Sequence, residues 1–216
     1  MGRLRVGVLI SGRGSNLQAL IAAASDRSFP AEIALVISSQ GDAPGLAYAR
    51  AAGIRCEVIN HRAFNAKQGF EASMDATLRG ARIDLVCLAG FMRILTPWFV
   101  DRWRDRLINI HPSLLPAFKG LDTHARVLAS GTRFTGCTVH FVRAETDDGP
   151  IIVQAAVPVR LNDSPESLAS RVLEMEHTCY PLAVQLIGQG RVRVHDERVE
   201  IASALSPDEM LVNPVG

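Results

Sequence analysis

The alternation of short apolar segments with longer stretches of helical pattern is the feature that most constrains the fold. The apolar segments predict strands at Leu4–Ile10, Glu32–Ser38, Arg55–Ile59, Leu85–Ala89 and Leu107–Ile110. The stretches between them predict helices at Asn16–Ala24, Pro44–Ala52, Gln68–Arg79 and Thr96–Arg104. Apolar strands separated by helices are typical of a parallel sheet that is covered on both faces. The pattern therefore predicts an α/β fold with a doubly wound, mostly parallel sheet.

The pattern changes after residue 110 and predicts an antiparallel extension with a long late helix. The expected elements are a helix at His124–Ser130, antiparallel strands at Thr135–Val142 and Ile151–Val157, a helix from Ser164 that Pro181 should bend, and a hairpin of Val192–His195 with Val199–Ile201. Thr96 and Ser164 are expected to cap their helices, because each precedes a proline at the first helical position. We expect one domain over residues 1–205, in halves of about 1–110 and 111–205, and a flexible tail at 206–216.

Charge and cysteine usage exclude several classes of protein. The 216 residues include 23 basic and 22 acidic side chains, a net charge of +1, whereas a nucleic-acid surface needs a clear basic excess. No apolar run approaches the roughly 20 residues that span a bilayer. The four cysteines and six histidines lack the spacing of a disulfide framework or a metal site. We therefore expect a cytoplasmic protein with no metal, no nucleic-acid partner and no membrane contact, either a monomer or a homodimer.

A glycine-rich loop, Ser11–Asn16, separates the first predicted strand from the first predicted helix. Glycines permit a sharp turn, and the N–H groups at a helix start form an anion site. Leu17 occupies the third glycine position of a dinucleotide-binding loop, and no Gly-Lys-Ser/Thr follows as in a Walker loop. The loop is thus either a site for one phosphate or a plain strand-to-helix turn.

Asn109 and His111 stand at the carboxyl end of a predicted buried strand, where open α/β sheets bind ligands. They alternate with Ile110, so their side chains emerge on one face. An amide beside an imidazole supplies donors for a carbonyl oxygen and a proton carrier near neutral pH. The alternative is a polar strand end held by structural hydrogen bonds.

Two acidic features are harder to interpret. The loop Glu145–Pro150 is an ordinary turn unless one of its carboxylates folds back to pair with His111. Glu176 falls beside the apolar stripe of the long helix, where an unpaired charge is costly. It either borders a polar cleft or forms a structural salt bridge.

Together these residues resemble the glycinamide ribonucleotide formyltransferases, a family of folate-dependent enzymes of purine synthesis. The matching blocks span roughly residues 6–195 and include Leu9–Gln18, Leu88–Leu95, Asn109–Pro116, Val139–Val142, Gly149–Ile152 and Glu176-His177 with Tyr180-Pro181. The resemblance implies direct transfer of a formyl group from 10-formyltetrahydrofolate, the co-substrate, to the amine of glycinamide ribonucleotide.

The resemblance also implies a role for each matching residue. Asn109 and His111 would hold the oxyanion, with His111 as general acid paired with Asp147. The ribonucleotide would bind to Gly14, Ser15 and Asn16 through its phosphate and to Glu176 through its ribose. The residues implied in folate binding are Lys67, Met92, Arg93, Ile94, Leu95, Asn109, Val142 and Arg143.

This sequence departs from the family pattern at three places. Asp148 follows Asp147 where a small residue is usual, which leaves open which carboxylate meets His111. Leu173 and Met175 occupy positions that are polar in some relatives.

The family also implies a cis Leu115–Pro116 peptide bond.

Four other functions compete with this interpretation. Formyltetrahydrofolate deformylase carries an additional N-terminal domain and methionyl-tRNA formyltransferase a C-terminal one, so we expect the length of this chain to disfavour both. A non-catalytic nucleotide-binding module would keep the glycine loop but would not need Asn109, His111 and an acid together. A nicotinamide dehydrogenase would need the missing third glycine.

Overall fold

The computed structural model describes residues 2–203 and Asn213, so most of the predicted tail at 206–216 lies outside the described residues. Its strands are β1 Leu4–Ile10, β2 Ala31–Ser38, β3 Cys56–Val58, β4 Leu85–Leu88, β5 Leu107–His111, β6 Phe134–Phe141, β7 Ile151–Pro158, β8 Val192–His195 and β9 Arg198–Ile201. Its helices are α1 Ser15–Ala24, α2 Gly45–Ala51, α3 Lys67–Gly80, α4 Pro97–Arg102, α5 Thr123–Ser130 and α6 Pro165–Gly188, with a 3-10 turn at His61–Ala63.

Seven of these strands form one sheet in the order β3-β2-β1-β4-β5-β6-β7. Strands β1 to β5 are parallel, and β6 and β7 extend the sheet in the antiparallel sense. The predicted fold class is confirmed, as is the separate β8–β9 hairpin. The strand order reverses at β1, so a crevice opens between the carboxyl ends of β1 and β4. The loops that follow these two strands meet there, and Ser11 N donates to Gly90 O at 3.2 Å.

Each face of the sheet is covered by its own hydrophobic core. Val8 and Ile10 of β1 face a core that includes residues of α1, α2, α5 and α6. Leu9, between them, faces a second core with residues of α3 and α4. This division follows from the two-residue period of a strand and explains why β1 reads as apolar throughout.

Helix α6 crosses the first face of the sheet and is pinned to it. It begins with a capping box between Ser164 and Ser167, and Pro181 lies inside it without ending it. The fully buried Tyr180 hydroxyl lies 2.9 Å from Leu88 O and 3.3 Å from Ile108 O. A residue of α6 is thereby bonded to the strands β4 and β5. Although α6 is long, neither it nor any other helix among residues 2–203 is long and apolar enough to cross a membrane.

Two local details differ from the sequence predictions. Strand β5 continues through His111, which pairs with Thr138 of β6, instead of ending at Ile110. Thr96 precedes α4 but makes no side-chain cap to its own helix. Its hydroxyl and its amide, the latter at 2.8 Å, donate to the buried carboxylate of Glu71 on α3. A carboxylate from a neighbouring helix thus takes over the capping role at the start of α4.

Asp75 provides a second link between α3 and α4. Its carboxylate, 7% exposed, accepts from Arg79 Nε at 2.9 Å, Arg102 Nε at 3.1 Å and Trp103 Nε1 at 3.0 Å. We expect Asp75→Ala to lower the free energy of unfolding by about 2–3 kcal/mol, because charged and buried donors lose their acceptor. Urea denaturation measures this change. Asp101→Ala, an exposed position on α4, is the control and should stay within about 0.5 kcal/mol; equal losses would contradict the proposed link.

Candidate active site

His111 lies at the base of a cleft of about 1240 Å³ that opens above β4 and β5. Its side chain is only 7% exposed. Nδ1 lies 3.3 Å from Asp147 Oδ2, and Nε2 lies 2.9 Å from the carbonyl oxygen of Phe118. Each ring nitrogen therefore faces an oxygen atom that can accept a hydrogen bond.

The structure brings Asp147, and not Asp148, to His111. Asp147 adopts a left-handed conformation with φ 50°, and its Oδ2 also accepts from Gly120 N at 2.8 Å. Asp148 points outward and pairs with Lys119 Nζ at 3.0 Å. The turn conformation thus separates two neighbouring carboxylates into one partly buried acid and one surface ion pair.

Asn109 is held by a residue to which the sequence assigned no role, His140. The two residues stand opposite each other in the β5–β6 ladder, and Asn109 Nδ2 lies 3.4 Å from His140 Nε2. His140 Nδ1 lies 2.9 Å from Phe141 O, so the ring donates at Nδ1 and accepts at Nε2. Burial lowers the pKa of His140 and favours this neutral form. The side-chain amide of Asn109 is thereby oriented with one N–H left over.

The glycine-rich loop packs directly against the start of α2. Gly14 has a left-handed φ of 75°, and a Cβ placed on it would lie 2.6 Å from Gly45 Cα. Gly45 N donates to Gly12 O at 3.0 Å. Within residues 2–203, no side chain caps α1, which begins at Ser15, so its first amide groups remain directed at the loop. An anion at this end of the ten-residue helix would find free donors and a favourable dipole.

Glu176 meets this loop from α6. Its carboxylate accepts from Asn16 Nδ2 at 2.7 Å, across 160 residues of sequence. Of the two alternatives that the sequence left open, the salt bridge is not formed, since the partner is a neutral amide. Burial raises the pKa of Glu176, and the Asn16 hydrogen bond only partly offsets it. Asn16 Oδ1 is buried and has no hydrogen-bond partner in the part of the chain that the structure describes.

Ser11 connects the glycine-rich loop to the wall of the cleft. Its hydroxyl oxygen accepts from Met92 N at 3.0 Å and lies 2.8 Å from Ser39 Oγ. Met92 begins the segment Met92–Leu95 that lines the cleft. The backbone positions of the loop and of this segment are therefore linked through one buried hydroxyl.

The residues that the resemblance implicated in folate binding all line the cleft: Lys67, Met92, Arg93, Ile94, Leu95, Asn109, Val142 and Arg143. Met92 and Ile94 are 68% and 70% exposed, so two large apolar side chains stand open at its rim. Arg143 differs from the others, because its guanidinium is engaged by Asp105 and Glu197. The Leu115–Pro116 peptide bond is cis.

The sequence did not reveal the roles of His140 and Phe118. His140 reaches Asn109 through the pairing of β5 with β6, and Phe118 reaches His111 through the conformation of the loop after β5. Knowledge of the β5–β6 register would have identified His140. Within the described residues, no group of three or more His, Cys, Asp or Glu side chains is arranged to hold a metal ion.

Comparison with known proteins agrees with this geometry. A family model described as "Formyl transferase" matches residues 4–184. The "Phosphoribosylglycinamide formyltransferase" of Escherichia coli (strain K12) is 42% identical over 193 residues, which cover 89% of this chain and 91% of that protein. The crystal structure of glycinamide ribonucleotide transformylase 1 from Symbiobacterium toebii aligns with a TM-score of 0.90 and 44% identity, over 92% of this chain and 94% of that one.

Two further relatives differ from this chain in length or likeness. The "Trifunctional purine biosynthetic protein adenosine-3" of Gallus gallus is 48% identical over 192 residues, which cover 89% of this chain. The chain spans only 19% of the length of that relative. A formyltetrahydrofolate deformylase structure from Pseudomonas syringae pv. tomato has a TM-score of 0.86 but 27% identity, and covers 92% of this chain and 66% of that one.

The buried Glu176 predicts a pH-dependent stability. Because its pKa is raised, the folded state keeps a proton that the unfolded chain loses above the ordinary pKa of glutamate. The free energy of unfolding therefore falls as the pH rises through the raised pKa. We expect Glu176→Gln to remove this fall and to unfold at a higher temperature than the unsubstituted chain at about pH 8, in melting curves measured across acidic and neutral pH. Glu174→Gln, exposed on the same helix, should keep the original profile; a Glu176→Gln profile identical to it would refute the assignment.

Proposed function

The chain belongs to the formyl transferase family, and we propose that it transfers a formyl group from 10-formyltetrahydrofolate to the amine of glycinamide ribonucleotide in purine biosynthesis. The observation that carries this proposal is the placement of His111 between Asp147 and the cleft, two residues from an oriented Asn109. A separate glycine loop joined to a buried carboxylate provides a second subsite. Two subsites suit a reaction with two substrates.

The folate subsite is the cleft above β4 and β5. Bound 10-formyltetrahydrofolate supplies the formyl group. The apolar side chains of Met92, Ile94 and Leu95 would cover its rings. A largely apolar cleft with a few polar groups at one end is the usual form of a small-molecule site.

Asn109 and His111 would stabilise the charge that develops on the formyl oxygen when the amine attacks. Asn109 lines the cleft at the end of β5, and its free N–H would donate to the formyl oxygen. Asp147 Oδ2 lies 3.3 Å from Nδ1 and would hold the ring in position. His111 Nε2 would exchange the Phe118 carbonyl for the formyl oxygen and give its proton to that oxygen. When the intermediate collapses, the oxygen would return the proton to His111, the bond between the formyl carbon and N10 of the folate would break, and the proton lost by the attacking amine would pass to N10.

The nucleotide subsite would use the start of α1 for the phosphate and Glu176 for the ribose. Free amide groups at Ser15 and Asn16 suit a phosphate. An ionised Glu176 can accept hydrogen bonds from neighbouring hydroxyl groups, and these would offset the cost of burying its charge. Asn16 Oδ1, which lacks a donor, offers another contact.

A direct assay distinguishes this activity from that of a deformylase. The chain is incubated with 10-formyltetrahydrofolate, with or without glycinamide ribonucleotide, and both formylated amine and free formate are measured. Formylated amine without formate supports the transferase. Formate release that is independent of the amine would support the hydrolase, which the 27% identical relative represents. The four free cysteines fit a cytoplasmic location, which we propose for the activity.

The two neighbouring carboxylates predict different effects of the same substitution. Asp147→Asn keeps the shape of the side chain but removes the charge at His111 Nδ1, so we expect kcat to fall by about 10²-fold or more. Asp148→Asn loses only an exposed ion pair with Lys119 and should change kcat less than about twofold. Steady-state kinetics of both variants test the pairing. Equal losses, or a larger loss for Asp148→Asn, would refute the assignment.

The glycine loop predicts a selective effect on nucleotide binding. Gly14→Ala introduces a Cβ at a left-handed position and against Gly45 Cα. We expect the KM for glycinamide ribonucleotide to rise about tenfold or more, since such strain costs 1–3 kcal/mol, while the KM for the folate stays nearly unchanged. Gly12→Ala, whose new Cβ would meet no atom within 4 Å, is the matched control. If both KM values rise together in Gly14→Ala, the two subsites are not separate.

A further inference from the structure

The tip of the β8–β9 hairpin contacts the loop that carries Asp147. Asp196 and Glu197 form this tip with left-handed φ values of 46° and 55°. Glu197 Oε2 accepts from Arg143 Nε at 2.5 Å, and its other oxygen accepts from Arg104. The hairpin begins at Val192, beyond the residues 4–184 that the family model matches. It thus lies outside the matched region and contacts the candidate active site.

Arg143 connects this tip to the loop. Its side chain is only 9% exposed, and Nη2 also pairs with Asp105 Oδ1 at 2.7 Å. A guanidinium stays charged in proteins, so a buried one depends on its carboxylates. The Arg143 Cγ atom lies 3.0 Å from the position of a Cβ on Gly149, so the aliphatic part of the side chain packs against this glycine. Gly149 stands two residues after Asp147.

We propose that Glu197 is a positioning residue for formyl transfer: through Arg143 it holds the 143–149 loop in the conformation that pairs Asp147 with His111. This inference rests on the proposed function, because only formyl transfer at His111 makes the Asp147–His111 pair part of the catalytic machinery. The physical path is continuous, from carboxylate to guanidinium, from the Arg143 stem to Gly149, and from there to Asp147. It also gives Arg143 a role in addition to the direct folate contact that the resemblance implied.

Loss of the Glu197 charge would release the loop without releasing the hairpin. Arg143 would keep Asp105 as its only carboxylate partner among those described, and its stem would no longer be fixed against Gly149. The hairpin keeps other attachments, since β9 also contacts β7 and apolar side chains of both its strands pack against the hydrophobic core that α6 covers. The consequence therefore falls on the position of Asp147.

The first test is a kinetic comparison of Glu197→Gln with Glu200→Gln, an exposed residue on the same hairpin. Because the Glu197 side chain is 51% exposed, we expect a fall in kcat of about two- to fivefold for Glu197→Gln, with the KM for glycinamide ribonucleotide unchanged. Glu200→Gln should match the unsubstituted chain. In an Asp147→Asn background, Glu197→Gln should have no further effect on kcat, since the path ends at Asp147. Equal kcat for the two single variants, or an undiminished effect in that background, would overturn the proposal.

A second measurement does not depend on activity. Amide hydrogen exchange of the 143–149 loop should become about two- to fivefold faster in Glu197→Gln and stay unchanged in Glu200→Gln. Unchanged exchange in both variants overturns the positioning role whatever the enzyme catalyses. Absence of formyl transfer by the unsubstituted chain, with faster loop exchange in Glu197→Gln, would overturn the proposed function and leave the mechanical link supported.

Discussion

The antiparallel register between β5 and β6 is the constraint on which the site depends. It places Asn109 opposite His140 and His111 opposite Thr138. The Thr138 hydroxyl donates to Ser113 O at 2.7 Å and accepts from Leu115 N at 3.0 Å, so β6 also fixes the turn that follows His111. A slip of one residue would reverse which side chains face the cleft. The parallel half of the sheet provides the crevice, and this one antiparallel pairing orients the groups within it.

The site contains polar groups whose burial opposes folding. Glu176 is 8% exposed with one neutral partner, Asn16 Oδ1 has none, and His140 is buried in its neutral form. A structural role alone would be better served by apolar side chains at these positions. Two hydrophobic cores and the Tyr180 contacts across β4 and β5 offset this cost. Because the hydrophobic cores stabilise the fold, polar groups of the site can remain without hydrogen-bond partners. These groups are then available to a substrate.

The sequence predicted those features that depend on local pattern. Alternating segments revealed the sheet, because β1 to β5 are buried on both faces, and the Asn109-x-His111 spacing followed from the two-residue period of β5. Whether Asp147 or Asp148 meets His111 depends on which of the two adopts the left-handed conformation. Two adjacent identical residues give no sequence signal for that choice. His140 depends on the register with β5. The ion pairs of Arg143 join residues 38 and 54 positions away, beyond the reach of any sequence pattern.

The position of α6 has a consequence for the order in which the molecule can assemble as it is synthesised. Strands β1, β4 and β5 are complete once His111 has been made, yet the face that carries Val8 and Ile110 is closed by Leu168, Val172 and Tyr180 of α6. Chain growth proceeds at about 5–20 residues per second, so this apolar face stays open for several seconds after its strands exist. The nucleotide subsite is delayed with it, because Asn16 emerges early and must await Glu176. The nascent protein is therefore most exposed to aggregation during this interval, and an occluding chaperone would act on the uncovered side of the sheet.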